Sequence, residues 1–341
     1  MGSGEHGGTG APERGEGAAD PVAEWVAQRT PAPDPSDVAS GPSASGAASQ
    51  PADVAPRMTP PASSGVTLTW RPAGWTIVRP GNLLLAAAGV AVGGFLTFGR
   101  VLITPAVWWA MASAVGLGAA GNVANDLFDL EADRINRPLR PLVTGAMSHG
   151  AALVLAGVAG GLGLWAAWWV SGTLFVLGLA ALAVMLVYSP VLKPRLMAGN
   201  VAVAVVASMP LVYGAAAAGW WRAGLVPAVL AAFLHLAREI VKDLEDVPGD
   251  LAIGRATVPI AWSPAAGYAT AATVLVVFLP VSILPWLAGW YGRRYGLLVL
   301  LLDLGVLVLI ARLASRRLDG VRAGLKLGMV LGLLALLWDR F

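Results

Sequence analysis

The sequence predicts an all-α membrane protein, with nine transmembrane helices around a central cavity open to the cytoplasmic side. Three observations lead there. First, hydrophobic residues make up 57% of the 341-residue chain, charged residues only 13%, and mean hydropathy is +0.69. A soluble domain carries about 25% charged residues. Second, apolar stretches recur along the chain, each close to the roughly 20 residues that cross a bilayer as a helix. Third, most acids beyond residue 65 fall in two short windows, Asn125 to Asp133 and Lys242 to Asp250. The windows sit between apolar stretches.

Taken in order, residues 1–70 come first and read as a disordered tail. They are Pro, Gly, Ala and Ser in short runs, without hydrophobic periodicity. Such a stretch cannot bury enough apolar surface to offset its chain entropy. It also lacks the apolar core of a secretory signal peptide. Residues 75–341 read as one transmembrane domain. Its nine spans are expected at 81–99, 102–122, 150–170, 172–190, 199–219, 223–238, 259–285, 293–313 and 321–338. All are rich in Leu, Val, Ala and Gly, and small residues permit close helix packing in lipid. The apolar run 151–190 is nearly continuous and splits at Ser171-Gly172, after Trp168 and Trp169.

Orientation follows from Lys and Arg. With the N-terminus inside, seventeen of them fall on the inner side of these spans and five on the outer. That bias points to a multi-pass protein of the cytoplasmic membrane whose acid windows face the cytoplasm. Trp108, Trp109, Trp168, Trp169, Trp220, Trp221, Trp286, Trp290 and Trp338 all fall near outer helix ends, as an interfacial belt requires.

There is no cysteine. Disulfides, thiolate metal sites and cysteine nucleophiles are therefore excluded. His149 and His235 are isolated and read as polar residues near helix ends. A metal would be held by oxygen or by one of the three histidines.

The two windows supply that oxygen. In a helix Asn125, Asp129 and Asp133 share one face, with Asp126 close by. Asp243, Asp246 and Asp250 share a face too, unless Pro248-Gly249 ends the helix and leaves Asp250 on a loop. An Asp at the centre of a membrane helix costs roughly 2.5–3.5 kcal/mol. These acids therefore belong at a helix end or along a water-filled cavity. Crowded carboxylates repel unless something neutralises them, and Mg²⁺ does so through oxygen ligands and substrate phosphates. Arg134, Arg137 and Arg140 follow the first window, Arg238 and Lys242 precede the acids of the second, and Lys193 lies between. Arg and Lys are phosphate binders. The composite suits an amphiphile, its anionic head at the metals and its tail among the helices. Asp303 and Lys326 read as intramembrane charges that pair with each other.

These motifs resemble a known family. Asn125-Asp126-x-x-Asp129-x-x-x-Asp133, followed by Arg137-Pro138-x-Arg140-Pro141, is similar to the first signature of the UbiA-type intramembrane prenyltransferases. Asp243-x-x-Asp246-x-x-x-Asp250 resembles the second. Tyr188-Ser189, Lys193 and Gly199-Asn200 resemble the segment between, and Arg79-Pro80-x-Asn82 the family's entry to its first helix. The resemblance implies a Mg²⁺-dependent prenyltransferase acting on an isoprenyl diphosphate. It implies metal ligation by Asn125, Asp126, Asp129, Asp133, Asp243, Asp246 and Asp250. It gives Asp129, Asp133, Asp246 and Lys193 catalytic roles, and substrate contacts to Arg137, Arg140, Lys242, Tyr188 and Asn82. Asp133-Arg134-Ile135-Asn136-Arg137-Pro138 and Arg238 through Asp250 resemble the ether-lipid branch. That branch implies a geranylgeranyl-type chain passed to geranylgeranylglyceryl phosphate, with Arg134, Arg140 and Arg238 available for the acceptor phosphate. An aromatic quinone precursor or a tetrapyrrole is the alternative acceptor. An ion-coupled transporter is the alternative of another class, but its acids belong near the midplane on broken helices. No protein partner and no nucleic acid is implied.

Overall fold

The computed structural model describes residues 73–99, 104–193 and 195–340. The expected disordered tail, residues 1–70, lies outside them. Among the described residues nine helices are long and apolar enough to cross a membrane. They are α1 (Pro80–Phe98), α2 (Pro105–Phe128), α3 (His149–Val170), α4 (Gly172–Val187), α5 (Leu196–Ala217), α6 (Leu225–Ala252), α7 (Pro264–Leu287), α8 (Arg293–Ala314) and α9 (Val321–Trp338).

Local chemistry sets many of the starts. Thr104, Ser148, Ser171 and Ser263 cap α2, α3, α4 and α7, each side chain accepting from a backbone N–H three residues on. Pro80, Pro105 and Pro264 begin their helices, where no N–H is needed. The expected break between α3 and α4 falls at Ser171, whose backbone is extended.

Packing then divides the bundle. Leu234 and Ile240 of α6, Leu275 of α7, Val306 of α8 and Leu325 of α9 form one buried cluster. Val90 of α1, Val107 of α2, Ala167 of α3, Leu174 of α4 and Tyr213 of α5 form another. The seam between α1 and α5 is tight. A Cβ added at Gly214 would lie 1.8 Å from the Val90 carbonyl oxygen, and one at Gly93 would lie 2.0 Å from that of Leu211. Only glycine lets the two backbones approach this closely. α3 packs mainly on α2, outside the cavity wall.

Three expectations change. The sixth span, expected at 223–238, continues to Ala252. Asp250 is therefore helical rather than on a loop, and His235 lies in mid-helix. The reason is Asn136, whose side-chain amide donates to the Asp246 carbonyl and accepts from the Gly249 N–H, both at 2.9 Å. It compensates the backbone around Pro248, where the ladder loses a donor. Asp303 does not pair with Lys326. Its carboxylate accepts from the Ser282 hydroxyl at 3.0 Å, while Lys326 faces the cavity. Trp168 and Trp169 are exposed as a belt requires, but Trp286 packs inward against Gly296.

Candidate active site

α2 carries Asn125 in its last turn and ends at Phe128. Asp129 is the joint, and the short helix Leu130–Asn136 presents Asp133. The backbone ladder runs through the joint, from Asp129 N–H to Asn125 and from Asp133 N–H to Asp129. Asn125 and Asp129 thus keep a common face, and the Asn125 amide donates to Asp129 at 3.0 Å. α6 carries Asp243, Asp246 and Asp250, all buried. Between the windows, α4 ends in a π-helical turn, Tyr188–Leu192. Such turns recur at functional sites. It leads directly into Lys193, only 5% exposed, whose ammonium reaches Asp129 at 2.9 Å.

The windows face each other and are joined by cations. Arg137 meets Asp133 at 3.4 Å and Asp246 at 2.6 Å. Arg255 meets Asp129 at 2.6 Å and Asp250 at 3.0 Å. Arg140 pairs with both Asp126 and Asp133, and Arg79 with Asp126. Asp243 accepts from Asn200 at 2.7 Å, and the Asn125 side-chain oxygen Oδ1 accepts from the Ser189 hydroxyl at 3.1 Å.

Electrostatics at Asp129 are decided by competition. Burial alone would raise its carboxyl, but Lys193 and Arg255 outweigh burial and hold it well below the usual carboxylate range. Arg255 responds in kind. Burial disfavours its charge, yet Asp129 and Asp250 push the guanidinium above its ordinary value.

Beside this network lies a cavity of about 480 Å³. Its depth is apolar, walled by Leu117, Met185, Leu234, Phe278 and Leu302. Its mouth is cationic. Arg137, Arg140, Lys242, Asn82, Asn125 and Tyr188 all line it, so the expected substrate contacts do meet in one place. None of the expected aspartates is among the described residues that line the cavity; they are paired to its cations instead. Among the described residues, no three of Asp, Glu and His gather into a metal-binding group. Their donor set is nonetheless entirely oxygen, and Asp250 Oδ2 is buried with no hydrogen-bond partner. Unpartnered carboxylate oxygen in an all-oxygen set fits Mg²⁺.

Sequence reasoning passed over two members of the site. Arg255 is 7% exposed and ties the windows together, yet in the sequence it is one of many inner-side arginines. Asn136 joins the first window's helix to α6. Its signal is an amide residue placed three after Asp133 at the end of a helix.

Nine helices long and apolar enough to cross a membrane, around an apolar cavity whose lining carries Arg and Lys, define an integral, multi-pass membrane protein. The profile of the UbiA prenyltransferase family matches residues 83–337, and the chain belongs to that family. It is 32% identical over 284 residues to the digeranylgeranylglyceryl phosphate synthase of Hyperthermus butylicus, covering 76% of this chain and 94% of that one. It is 35% identical over 266 residues to the synthase of the same name from Methanopyrus kandleri, covering 76% and 96%. A UbiA homologue from Archaeoglobus fulgidus, solved bound to GPP and Mg²⁺, shares the fold. The TM-score is 0.63 at 20% identity, over 78% of this chain and 98% of that one.

Proposed function

We propose that this prenyltransferase passes a geranylgeranyl-type chain from its diphosphate to a glyceryl phosphate lipid, geranylgeranylglyceryl phosphate, forming an ether. The observation that carries this is the juxtaposition of an apolar cavity with a mouth lined by Arg137, Arg140 and Lys242. Relatives spanning most of the chain bear the name of that reaction.

Asn125, Asp129, Asp243 and Asp250 would hold Mg²⁺, the metal found with GPP in the Archaeoglobus fulgidus homologue. Mg²⁺ supplies positive charge to a diphosphate leaving group. The chain's own residues do the rest. Arg137 and Lys242 bind the diphosphate oxygens at the mouth, and Lys193 holds Asp129 ionised and in place. Asp126, Asp133 and Asp246 belong to the same proposed metal-binding set and also orient Arg79, Arg140 and Arg137. Tyr188 and Asn82 shape the mouth. The apolar walls take the prenyl tail and keep water from the allylic cation. As the bond from C1 to the diphosphate oxygen breaks, its electron pair leaves with the diphosphate. The acceptor hydroxyl oxygen bonds to C1 and gives its proton to the departing diphosphate.

The same reading places the protein in the cytoplasmic membrane with the mouth toward the cytoplasm, supported by the excess of Lys and Arg on that side. The transferase domain is residues 75–341.

The test offers purified enzyme geranylgeranyl diphosphate with geranylgeranylglyceryl phosphate, 4-hydroxybenzoate or homogentisate in separate reactions. Ether product with the lipid acceptor is expected. Product with an aromatic acceptor alone overturns the lipid assignment.

A further inference from the structure

The cavity mouth holds more positive charge than a single diphosphate calls for. Apart from Arg137, Arg140 and Lys242, its wall carries Arg79, Arg238, Arg322 and Lys326, while Glu239 is the one acid among the described lining residues. The acids available to this second group are shared. Asp126, the partner of Arg79, also serves Arg140. Glu239, which meets Arg238 at 2.9 Å, also serves Lys242 at 3.2 Å. Arg322 is held by Glu245. Lys326 enters no ion pair among the described residues, although it lies within the span Val321–Trp338. Its side chain is exposed, and a cation within a membrane span marks a substrate path by default.

Geometry separates this group from the acid windows. On α6, Arg238 and Glu245 are seven residues apart and share one stripe, whereas Asp243, Asp246 and Asp250 share another. Glu245 brings in Arg322 of α9. Lys326 lies one turn further along α9, on the same face. Lys326 also meets Arg79 and Asn82 around a smaller pocket of about 260 Å³ between α9 and the start of α1. The cluster therefore joins α6, α9 and the turn before α1, and meets the acid windows through Arg79 and Asp126 and through Glu245.

We infer that Arg238, Arg322 and Lys326, with Arg79 at their edge, form a second anion site that holds the phosphate monoester of the acceptor lipid. The inference rests on the lipid-acceptor reading above. A dianionic phosphate matches a cluster whose cations outnumber its acids. Arg134, expected for this role, is 60% exposed and turned to Glu131. Arg140 is held by Asp126 and Asp133. Arg238 alone of the three expected residues belongs to the cluster.

The test measures equilibrium binding to the detergent-solubilised full chain with three probes: geranylgeranylglyceryl phosphate, its dephosphorylated alcohol and geranylgeranyl diphosphate. Lys326→Gln and Arg322→Gln are each expected to weaken the phosphate lipid about tenfold, the scale of one charge-assisted hydrogen bond. Binding of the alcohol and the diphosphate should stay unchanged, which also shows that the variants are folded. Lys326→Arg should restore the phosphate lipid. Wild-type affinity for the phosphate lipid in both Gln variants overturns the site. So does equal weakening of the diphosphate that Lys326→Arg does not separate. A wild-type enzyme that binds the phosphate lipid through these residues but prenylates only aromatic acceptors leaves the site standing and removes the proposed function.

Discussion

Arg255 donates to Asp129 at 2.6 Å across 126 residues of sequence. The same guanidinium reaches Asp250 at 3.0 Å, so this side chain, like Arg137, bridges the two acid windows. Arg255→Ala should leave two buried carboxylates short of a partner, a change that costs about 3–5 kcal/mol when a buried pair is broken. A thermal melt of the detergent-solubilised variant should show a clear drop, with turnover reduced by at least an order of magnitude. An unchanged melt and unchanged turnover would show the bridge to be idle.

Chelation tests the oxygen-only donor set. EDTA in excess should stop prenyl transfer and added Mg²⁺ should restore it. Asp129→Ala, Asp133→Ala and Asp246→Ala should each abolish transfer. The first removes a proposed metal ligand, the others release Arg140 and Arg137. Full turnover in EDTA would end the metal requirement.

Asn136 and Gly249 form a joint that can be broken from either side. Asn136→Ala removes two hydrogen bonds to α6 and should cost about 1–3 kcal/mol through unsatisfied backbone groups. Gly249→Ala should cost at least as much, because its Cβ would come within 2.5 Å of the Ala132 carbonyl oxygen. Comparable melting temperatures for wild type and both variants would contradict this account.

Orientation can be read by labelling, since the chain has no cysteine. Leu139, 82% exposed in the loop beyond the first window, and Arg294 at the start of α8 report on opposite ends of the bundle. Cysteine at Leu139 should react with an impermeant thiol reagent in inverted vesicles, and cysteine at Arg294 in intact cells. The reverse pattern would invert the topology.

Removal of residues 1–70 should leave turnover unchanged, because nothing in their composition supplies an apolar face. Assay of the shortened chain beside the full one decides it. A loss of activity with normal membrane insertion would give the segment a role.

The bundle was legible because span length and composition are local properties. The break at Ser171 and the caps at Thr104, Ser148 and Ser263 are local too. The windows were legible because Asn125, Asp129 and Asp133 repeat at helical spacing, as do Asp243, Asp246 and Asp250. What escaped is long-range. Pro248-Gly249 looks like a helix end until Asn136, from the other window, takes up the backbone groups it disturbs. Asp303 and Lys326 suggest a pair by charge alone, yet Ser282 satisfies one and the cavity receives the other. Arg255 has no sequence context that sets it apart from its neighbours.

One consequence remains in the turn before α1. Arg79 holds its backbone in the left-handed region, at φ 56°, where a residue with a Cβ gives up roughly 1–2 kcal/mol that glycine would keep. Its guanidinium meanwhile grips Asp126. Side chain and backbone thus pull this position in opposite directions. Arg79→Gly should relax the turn while leaving Asp126 to Arg140 alone. The turn therefore stores backbone strain that the ion pair to Asp126 holds in place.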